Sequence, residues 1–169
     1  MKITLKRLNQ DFHLEASNET GNKVIMDAGP AIGGGGAGAR PMELLIMGLG
    51  GCSAIDIISI LKKARQPLDD LQVEINAERE QGVEPAVFTT IHAQYVLTGD
   101  LQDSHVKRAV DLSLEKYCSV ARVLEKSATI TWSYKIRASW QWTIRSLEFG
   151  FDFVLSRGDL SNLLHEKNC

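Results

Sequence analysis

Two of the three cysteines have sequence surroundings that suit thiol chemistry. Cys52 directly follows the glycine-rich segment 48–51, Cys118 lies between two segments of helical character, and Cys169 ends the chain. Glycine costs about 1 kcal/mol in a helix interior, so the glycines beside Cys52 indicate either close packing of another helix or access of a small molecule or thiol to the sulfur. Because no C-x-x-C pair is present, spacing alone leaves catalytic, redox and merely buried thiols open.

Other catalytic patterns are weakly supported. Gly33, Gly35 and Gly38 match G-x-G-x-x-G, but the many neighbouring glycines satisfy this spacing by chance, and no acidic residue ends a second strand where a dinucleotide site needs one. Residues 29–39 are instead predicted to form a mobile Gly/Ala-rich loop. The histidines are scattered without metal-ligand spacing, so we expect no metal site and no organic cofactor.

The elements that carry the cysteines follow an α+β pattern. Alternating side chains predict a three-stranded meander within residues 1–28, and Pro41 followed by an apolar run predicts a long helix over 42–65 that contains Cys52. Runs of strands between helices are typical of an α+β fold with mostly antiparallel pairing. The remaining predicted elements are strands over 71–78 and 88–97, helices over 104–116 and 119–126, and a strand over 129–136.

The long helix predicts a homodimer. It is apolar on nearly every side, and such a helix needs burial on every side. One chain with a single small sheet does not readily supply that cover, and oligomers most often close by two-fold symmetry. We therefore expect an obligate dimer with an interface above about 2,000 Å².

Composition places the chain among globular proteins and disfavours two functional classes. It has 169 residues, enough for one ordinary domain, and 19 basic against 21 acidic side chains give a net charge of -2. This balance disfavours nucleic acid as the main partner. Glycine and polar residues interrupt the apolar segment 44–61, which argues against a membrane span. The first residues lack the apolar stretch of a secretory signal, so we expect a cytoplasmic protein.

The residues around both cysteines resemble motifs of the OsmC/Ohr family. The segment 40–56, RPMELLIMGLGGCSAID, is similar to the family's first cysteine motif, and 115–120, EKYCSV, followed by LEKSA, is similar to the second. The order of predicted elements also agrees, over about residues 1–138, and the likeness is greatest to a less characterised OsmC-like branch. The resemblance implies an OsmC-like α+β fold in which antiparallel sheets surround long central helices in an intertwined homodimer.

The resemblance also implies a reaction. It is the thiol-dependent reduction of hydroperoxides in an oxidative or osmotic stress response, with Cys52 matching the peroxidatic cysteine and Cys118 the resolving one. In such chemistry a thiolate becomes a sulfenic acid, a second thiol condenses with it, and an external dithiol reduces the disulfide. Apolar residues flank Cys52, so organic hydroperoxides are the expected substrates.

The activating residues depart from the family pattern. Well-studied members use an Arg from the N-terminal strands and a Glu ten positions before the peroxidatic cysteine, where this chain has Met42. Glu43 is one position away, and at about 100° per residue it lies on the opposite side of an unbroken helix from Cys52. Glu43 is nevertheless the glutamate nearest to the family position, and Arg40 at the helix start could substitute for the family's Arg, so these two residues are the candidate activating pair. This departure motivates a second interpretation, a non-catalytic dimer that binds a small apolar ligand at its interface.

Residues 139–169 lie beyond the resemblance. Alternating Trp and Phe residues and a group of leucines predict an added strand and a helical turn there. We interpret this segment as a C-terminal extension without a catalytic role, ending in a free exposed thiol at Cys169.

Overall fold

A computed structural model describes residues 1–139. The chain divides into two compact units, Met1–Leu49 and a second that begins at Gly50. The predicted strand, helical turn and exposed thiol of the C-terminal extension lie outside the described residues, and the boundary after residue 138 stays a prediction.

The first unit begins with the predicted antiparallel meander. Strands β1 (Ile3–Arg7), β2 (Leu14–Asn18) and β3 (Lys23–Met26) lie side by side in chain order. Asn18 closes the β2–β3 turn, because its side-chain oxygen accepts hydrogen bonds from the backbone N–H groups of Thr20 and Asn22. Several apolar side chains of this sheet remain exposed: Ile3, Leu5 and Val24.

The glycine-rich segment is held by backbone hydrogen bonds, whereas the sequence predicts a mobile loop. The carboxylate of Asp27, only 4% exposed, accepts backbone hydrogen bonds from Ala28, Gly35 and Ala37 at 2.8–3.1 Å. Residues Pro30–Ile32 form a 3₁₀ turn inside this arrangement. The prediction was wrong because it counted the few side chains available for burial and overlooked a buried carboxylate that organises the backbone instead.

The long helix α1 spans Pro41–Lys63, close to the predicted bounds. One face of it is fully buried at four-residue spacing, by Leu49, Ser53, Ile57 and Leu61. Other apolar side chains of α1 are exposed in the single chain: Leu45, Met47, Ile55 and Ile58. The chain by itself therefore leaves uncovered much of the apolar surface that the sequence predicted to be buried.

Among the described residues, α1 is also long and apolar enough to cross a membrane by length and composition alone. Core helices of folded domains meet the same criterion. Two polar side chains in the part of α1 that belongs to the second unit, Ser53 and Asp56, make hydrogen bonds to other side chains of that same unit. Such bonds inside the fold are typical of a core helix.

The second unit is built on a three-stranded sheet in the order β4-β5-β6. Strands β4 (Leu68–Arg79) and β5 (Phe88–Gly99) are antiparallel, whereas β5 and β6 (Thr129–Arg137) are parallel. β5 and β6 are parallel because the helical crossover between them brings the chain back to the end of the sheet where β5 begins. The prediction of mostly antiparallel pairing thus holds with one exception.

The crossover contains three short helical segments. Helix α2 spans Asp103–Leu112, a π-helical turn spans Ser113–Tyr117, and helix α3 spans Ser119–Leu124. The sequence predicted one regular helix over 104–116, so the π-helical turn is a feature that helical spacing did not reveal. The turn ends directly before Cys118.

Candidate functional site

Cys118 lies at the predicted break between helical segments. Its backbone is extended (φ -67°, ψ 102°), and it caps the start of α3 because its sulfur accepts a hydrogen bond from the N–H of Ala121 at 3.4 Å. Its own N–H donates to the carbonyl oxygen of Ser113 at 2.8 Å. The π-helical turn and α3 together therefore fix the position of the Cys118 sulfur.

The structure brings Cys52 and Cys118 together. Burial is the main reason that the pKa of the Cys118 thiol rises to about 11, and a side-chain hydrogen bond with Cys52 and the charge of Cys52 act in the same direction. Both cysteines are reduced thiols. Cys118 is fully buried, whereas Cys52 is partly exposed, so a reagent from solvent reaches Cys52 first.

A buried tyrosine is hydrogen-bonded to the residue that follows Cys52. The hydroxyl of Tyr95 on β5 donates to Ser53 Oγ at 2.8 Å, and Ser53 Oγ donates to the carbonyl oxygen of Gly50 at 3.1 Å. Burial is the main reason that the pKa of Tyr95 rises to about 12, although the hydrogen bond with Ser53 lowers it. The charges of Cys118 and Cys52 raise this pKa as well. Tyr95 therefore stays a neutral donor at physiological pH.

A third buried hydroxyl completes this cluster. Ser113 Oγ lies 3.3 Å from the carbonyl oxygen of Ser53 and 3.3 Å from the carboxylate of Asp56. Sequence reasoning missed Tyr95, Ser53 and Ser113. The available signal was period-two alternation, which places Tyr95 on the apolar face of β5 with Ile91, Ala93 and Leu97.

Arg40 and Glu43 pair with each other at the start of α1. The carboxylate of Glu43 accepts from the Arg40 backbone N–H at 2.8 Å and from its Nε at 2.8 Å, with a further contact to the guanidinium. The side-chain hydrogen bond from Arg40 is the main cause that holds the pKa of Glu43 below its ordinary value. A glutamate that reaches back to the residue before the helix is a capping arrangement, so local structure accounts for this pair. Its predicted catalytic role stays a prediction.

Comparison with known proteins identifies the family. The family model described as OsmC-like protein matches residues 33–133. The chain is 46% identical to protein YhfA of Escherichia coli (strain K12) over 121 residues, which is 71% of this chain and 87% of that protein.

Solved structures share the fold. A hypothetical protein from Aquifex aeolicus VF5 matches with a TM-score of 0.71 and 28% identity, over 82% of this chain and 96% of that one. An organic hydroperoxide resistance protein, OsmC, from Legionella pneumophila matches with a TM-score of 0.58 and 17% identity, over 82% of this chain and 97% of that one. Together with the family model and the identity to YhfA, these matches confirm the predicted OsmC-like α+β fold, and the chain belongs to the OsmC-like protein family.

Proposed function

We propose that this protein is a thiol-dependent peroxidase that reduces organic hydroperoxides through Cys52 and Cys118. The observation that carries the proposal is the pairing of the two thiols, one accessible and one fully buried. An accessible thiol with a second thiol next to it suits the roles of a peroxidatic and a resolving cysteine. The likeness in fold to an organic hydroperoxide resistance protein supports the same class of substrate.

The proposed reaction has two steps in the protein and one outside it. The Cys52 thiolate attacks the terminal peroxide oxygen, an S–O bond forms as the O–O bond breaks, and the alkoxide takes a proton and leaves as an alcohol. The Cys118 sulfur then attacks Cys52, an S–S bond forms as the S–O bond breaks, and hydroxide takes a proton and leaves as water. An external dithiol returns the two electrons by thiol–disulfide exchange.

We further propose that the active form is a cytoplasmic homodimer. The exposed apolar side chains of α1 and of the first sheet support this, because large uncovered apolar patches mark interaction surfaces. Nucleic acid and membrane lipid are not proposed as partners. The near-neutral charge disfavours the first, and the hydrogen bonds of Ser53 and Asp56 within the fold disfavour the second.

One observation favours the alternative function, a dimer that binds a small apolar ligand without turnover. Arg40 and Glu43 are engaged with each other, and this ion pair leaves the activation of Cys52 without an assigned partner. Under this alternative, Cys52 in the native protein resists alkylation and peroxide, and an apolar ligand raises the melting temperature.

The test is peroxide consumption with dithiothreitol as the electron donor. We expect cumene hydroperoxide to be consumed by the wild type and by Cys169→Ser, a control for a thiol outside the proposed site. Cys52→Ser should lose at least about a hundredfold in rate, since the attacking nucleophile is gone. Equal rates for wild type and Cys52→Ser would overturn the proposal.

A further inference from the structure

We propose that three buried hydroxyl groups, those of Tyr95, Ser53 and Ser113, position the Cys118 thiol against the Cys52 thiol and thereby determine how readily the pair forms a disulfide. The inference rests on the proposed function, because it concerns the same two sulfurs. These three residues are called the hydroxyl cluster below. Each of them is a positioning residue that acts through the polypeptide and not on the substrate.

The hydroxyl cluster first ties β5 to the cysteine-bearing part of α1. Ser53 directly follows Cys52 in the helix, and its hydroxyl joins Tyr95 on one side and the carbonyl of Gly50 on the other. Tyr95 and Ser53 are both 0% exposed. These hydrogen bonds therefore fix the rotation of this part of α1 relative to the sheet. The rotation of the helix in turn sets the direction of the Cys52 side chain.

The cluster then ties the same part of α1 to the segment that holds Cys118. Ser113 shares its one hydroxyl hydrogen between the carbonyl of Ser53 and the carboxylate of Asp56, both on α1, and accepts through its own carbonyl from the N–H of Cys118. Ser113 is the first residue of the π-helical turn and Cys118 is the residue after it. A continuous hydrogen-bonded path thus runs from Tyr95 through Ser53 and Ser113 to the backbone of Cys118.

The hydrogen-bonded connection to the π-helical turn matters because this turn sets the position of Cys118. Such turns are rare and are frequently found at functional sites, because they insert an extra residue into a helical ladder and re-aim the residues after it. Here the turn delivers Cys118 to a fully buried position beside Cys52. Loss of a hydroxyl from the cluster removes a hydrogen bond that helps to hold this turn, and Cys118 at its end, in one position.

Apolar side chains would fill this space without the cost of burying polar groups, so the presence of three buried hydroxyls needs a reason. In the part of the chain that the structure describes, every buried side-chain nitrogen and oxygen has a hydrogen-bond partner. A satisfied buried network fixes one arrangement of its members, whereas apolar packing tolerates small rotations. We attribute the three hydroxyls to the need to hold the two sulfurs in a fixed relative position. A disulfide forms only within a narrow range of Cα separation and dihedral angle.

The test is the equilibrium between the protein dithiol and glutathione. One glutathione disulfide oxidises Cys52 and Cys118, the internal S–S bond forms, and the two hydrogens and two electrons pass to two glutathione molecules. The full chain carrying Cys169→Ser is equilibrated in buffers of set glutathione ratio, then acid-quenched and alkylated, and the disulfide is counted by peptide mass mapping. No peroxide is present, so the result is independent of peroxidase activity.

Tyr95→Phe and Ser113→Ala should each lower this equilibrium constant by about fivefold to tenfold, because a reduced pair that is no longer held in place must lose about one side chain's conformational freedom before the disulfide forms. The double variant should lose about as much as either single one, because the cluster acts as a unit. Tyr134→Phe is the matched control. Tyr134 lies opposite Tyr95 in the sheet, and its hydroxyl donates to Asp103 away from the cluster. This control should keep the wild-type constant.

A merely structural role would lower the melting temperature of the reduced and oxidised forms equally and leave the equilibrium constant unchanged, and that result would overturn the inference. If Tyr95→Phe does not fold, Ser113→Ala alone decides. A wild type that forms no internal disulfide contradicts both the inference and the proposed function. A wild type that forms the disulfide, with variants that weaken it, but consumes no hydroperoxide contradicts the proposed function alone.

Discussion

At the scale of single residues, the two thiols differ in their exposure to solvent, and this difference suits two separate roles. Cys52 is within reach of solvent, while Cys118 is fully buried with a pKa of about 11. A thiol with that pKa is thiolate in only about one molecule in ten thousand at pH 7. Because the thiolate is the attacking species, the raised pKa of Cys118 should limit the rate of disulfide closure at neutral pH.

This predicts a steep pH dependence for closure. Sulfenic acid is formed on Cys52 at pH 6 with one equivalent of hydroperoxide, and the pH is then raised in a stopped-flow experiment. The closure rate should rise with pH between 7 and 9, because burial raises the pKa of Cys118 and leaves little of it as thiolate in this range. Mass analysis of quenched samples follows the disulfide.

Cys118→Ser is the control, since it should keep the sulfenic acid at every pH. A closure rate independent of pH between 7 and 9 would contradict the assignment of a buried, protonated Cys118 as the resolving thiol.

Asp27 is a second residue with a predicted pH signature. The backbone N–H of Ala37, assisted by those of Ala28 and Gly35, holds the pKa of Asp27 below its ordinary value of 3.8. A lowered pKa in the folded state adds stability above the unfolded pKa, and this stability is lost as the pH falls through the folded value. Asp27→Asn should therefore lower the melting temperature at pH 7, and the difference from the wild type should shrink as the pH falls below 3.8.

Glu15→Gln is a suitable control for Asp27, because Glu15 forms a surface ion pair with Lys23. Such exposed pairs contribute little to stability. A melting temperature that Asp27→Asn leaves unchanged at pH 7 would show that the carboxylate does not organise the loop.

Among these residues, sequence reasoning reached those with a recognisable motif. Cys52 and Cys118 were predicted because their neighbours resemble a family pattern. Tyr95, Ser53 and Ser113 were not, because their role depends on contacts between elements distant in sequence, across 42 positions for Tyr95–Ser53. Asp27 was missed for a related reason, since its partners are backbone groups, which carry no sequence signature.

At the scale of elements, the sequence predicted most helices and strands but not their irregularities. Periodicity and proline placed α1 within two residues of its observed bounds. The same reasoning merged α2 and the π-helical turn into one helix, because apolar side chains recur on one face through both. The parallel pairing of β5 and β6 likewise depends on the path of the crossover, which alternation within a strand does not encode.

The glycine-rich segment gives a prediction at this scale. A Cβ atom at Gly34 would lie 1.9 Å from the carbonyl oxygen of Ala28, whereas one at Gly35 would make only an ordinary contact at 3.5 Å with Asp27. Gly34→Ala should lower the free energy of unfolding by about 1–3 kcal/mol, since backbone has to move to admit the methyl group. Gly35→Ala is the matched control and should change it much less. Urea denaturation measures both, and equal values for the two variants would contradict a folded loop.

At the scale of the whole molecule, the single chain leaves apolar side chains of α1 exposed to solvent. Ile55 is 69% exposed and Met47 is 57% exposed. A helix of this composition is stable only when most of its sides are covered. A second copy of the chain, as proposed above, supplies that cover.

Charge substitution on α1 tests the dimer. Ile55→Asp should shift the protein from dimer to monomer in sedimentation equilibrium at micromolar concentration, because a carboxylate in an apolar interface is costly to desolvate. Val123→Asp is the matched control, since Val123 on α3 is equally exposed at 70%. Wild-type protein that sediments as a monomer would contradict the dimer directly.

The most direct test of the proposed peroxidase is the fate of the two sulfurs after one turnover. Reduced protein carrying Cys169→Ser is mixed with one equivalent of cumene hydroperoxide without any external thiol, then alkylated and mapped by mass spectrometry under non-reducing conditions. The proposed reaction predicts one alcohol released per chain, the loss of two hydrogen atoms from the protein, and a disulfide that joins Cys52 to Cys118. Hydroperoxide that remains unconsumed while both cysteines stay fully open to alkylation after denaturation would contradict it.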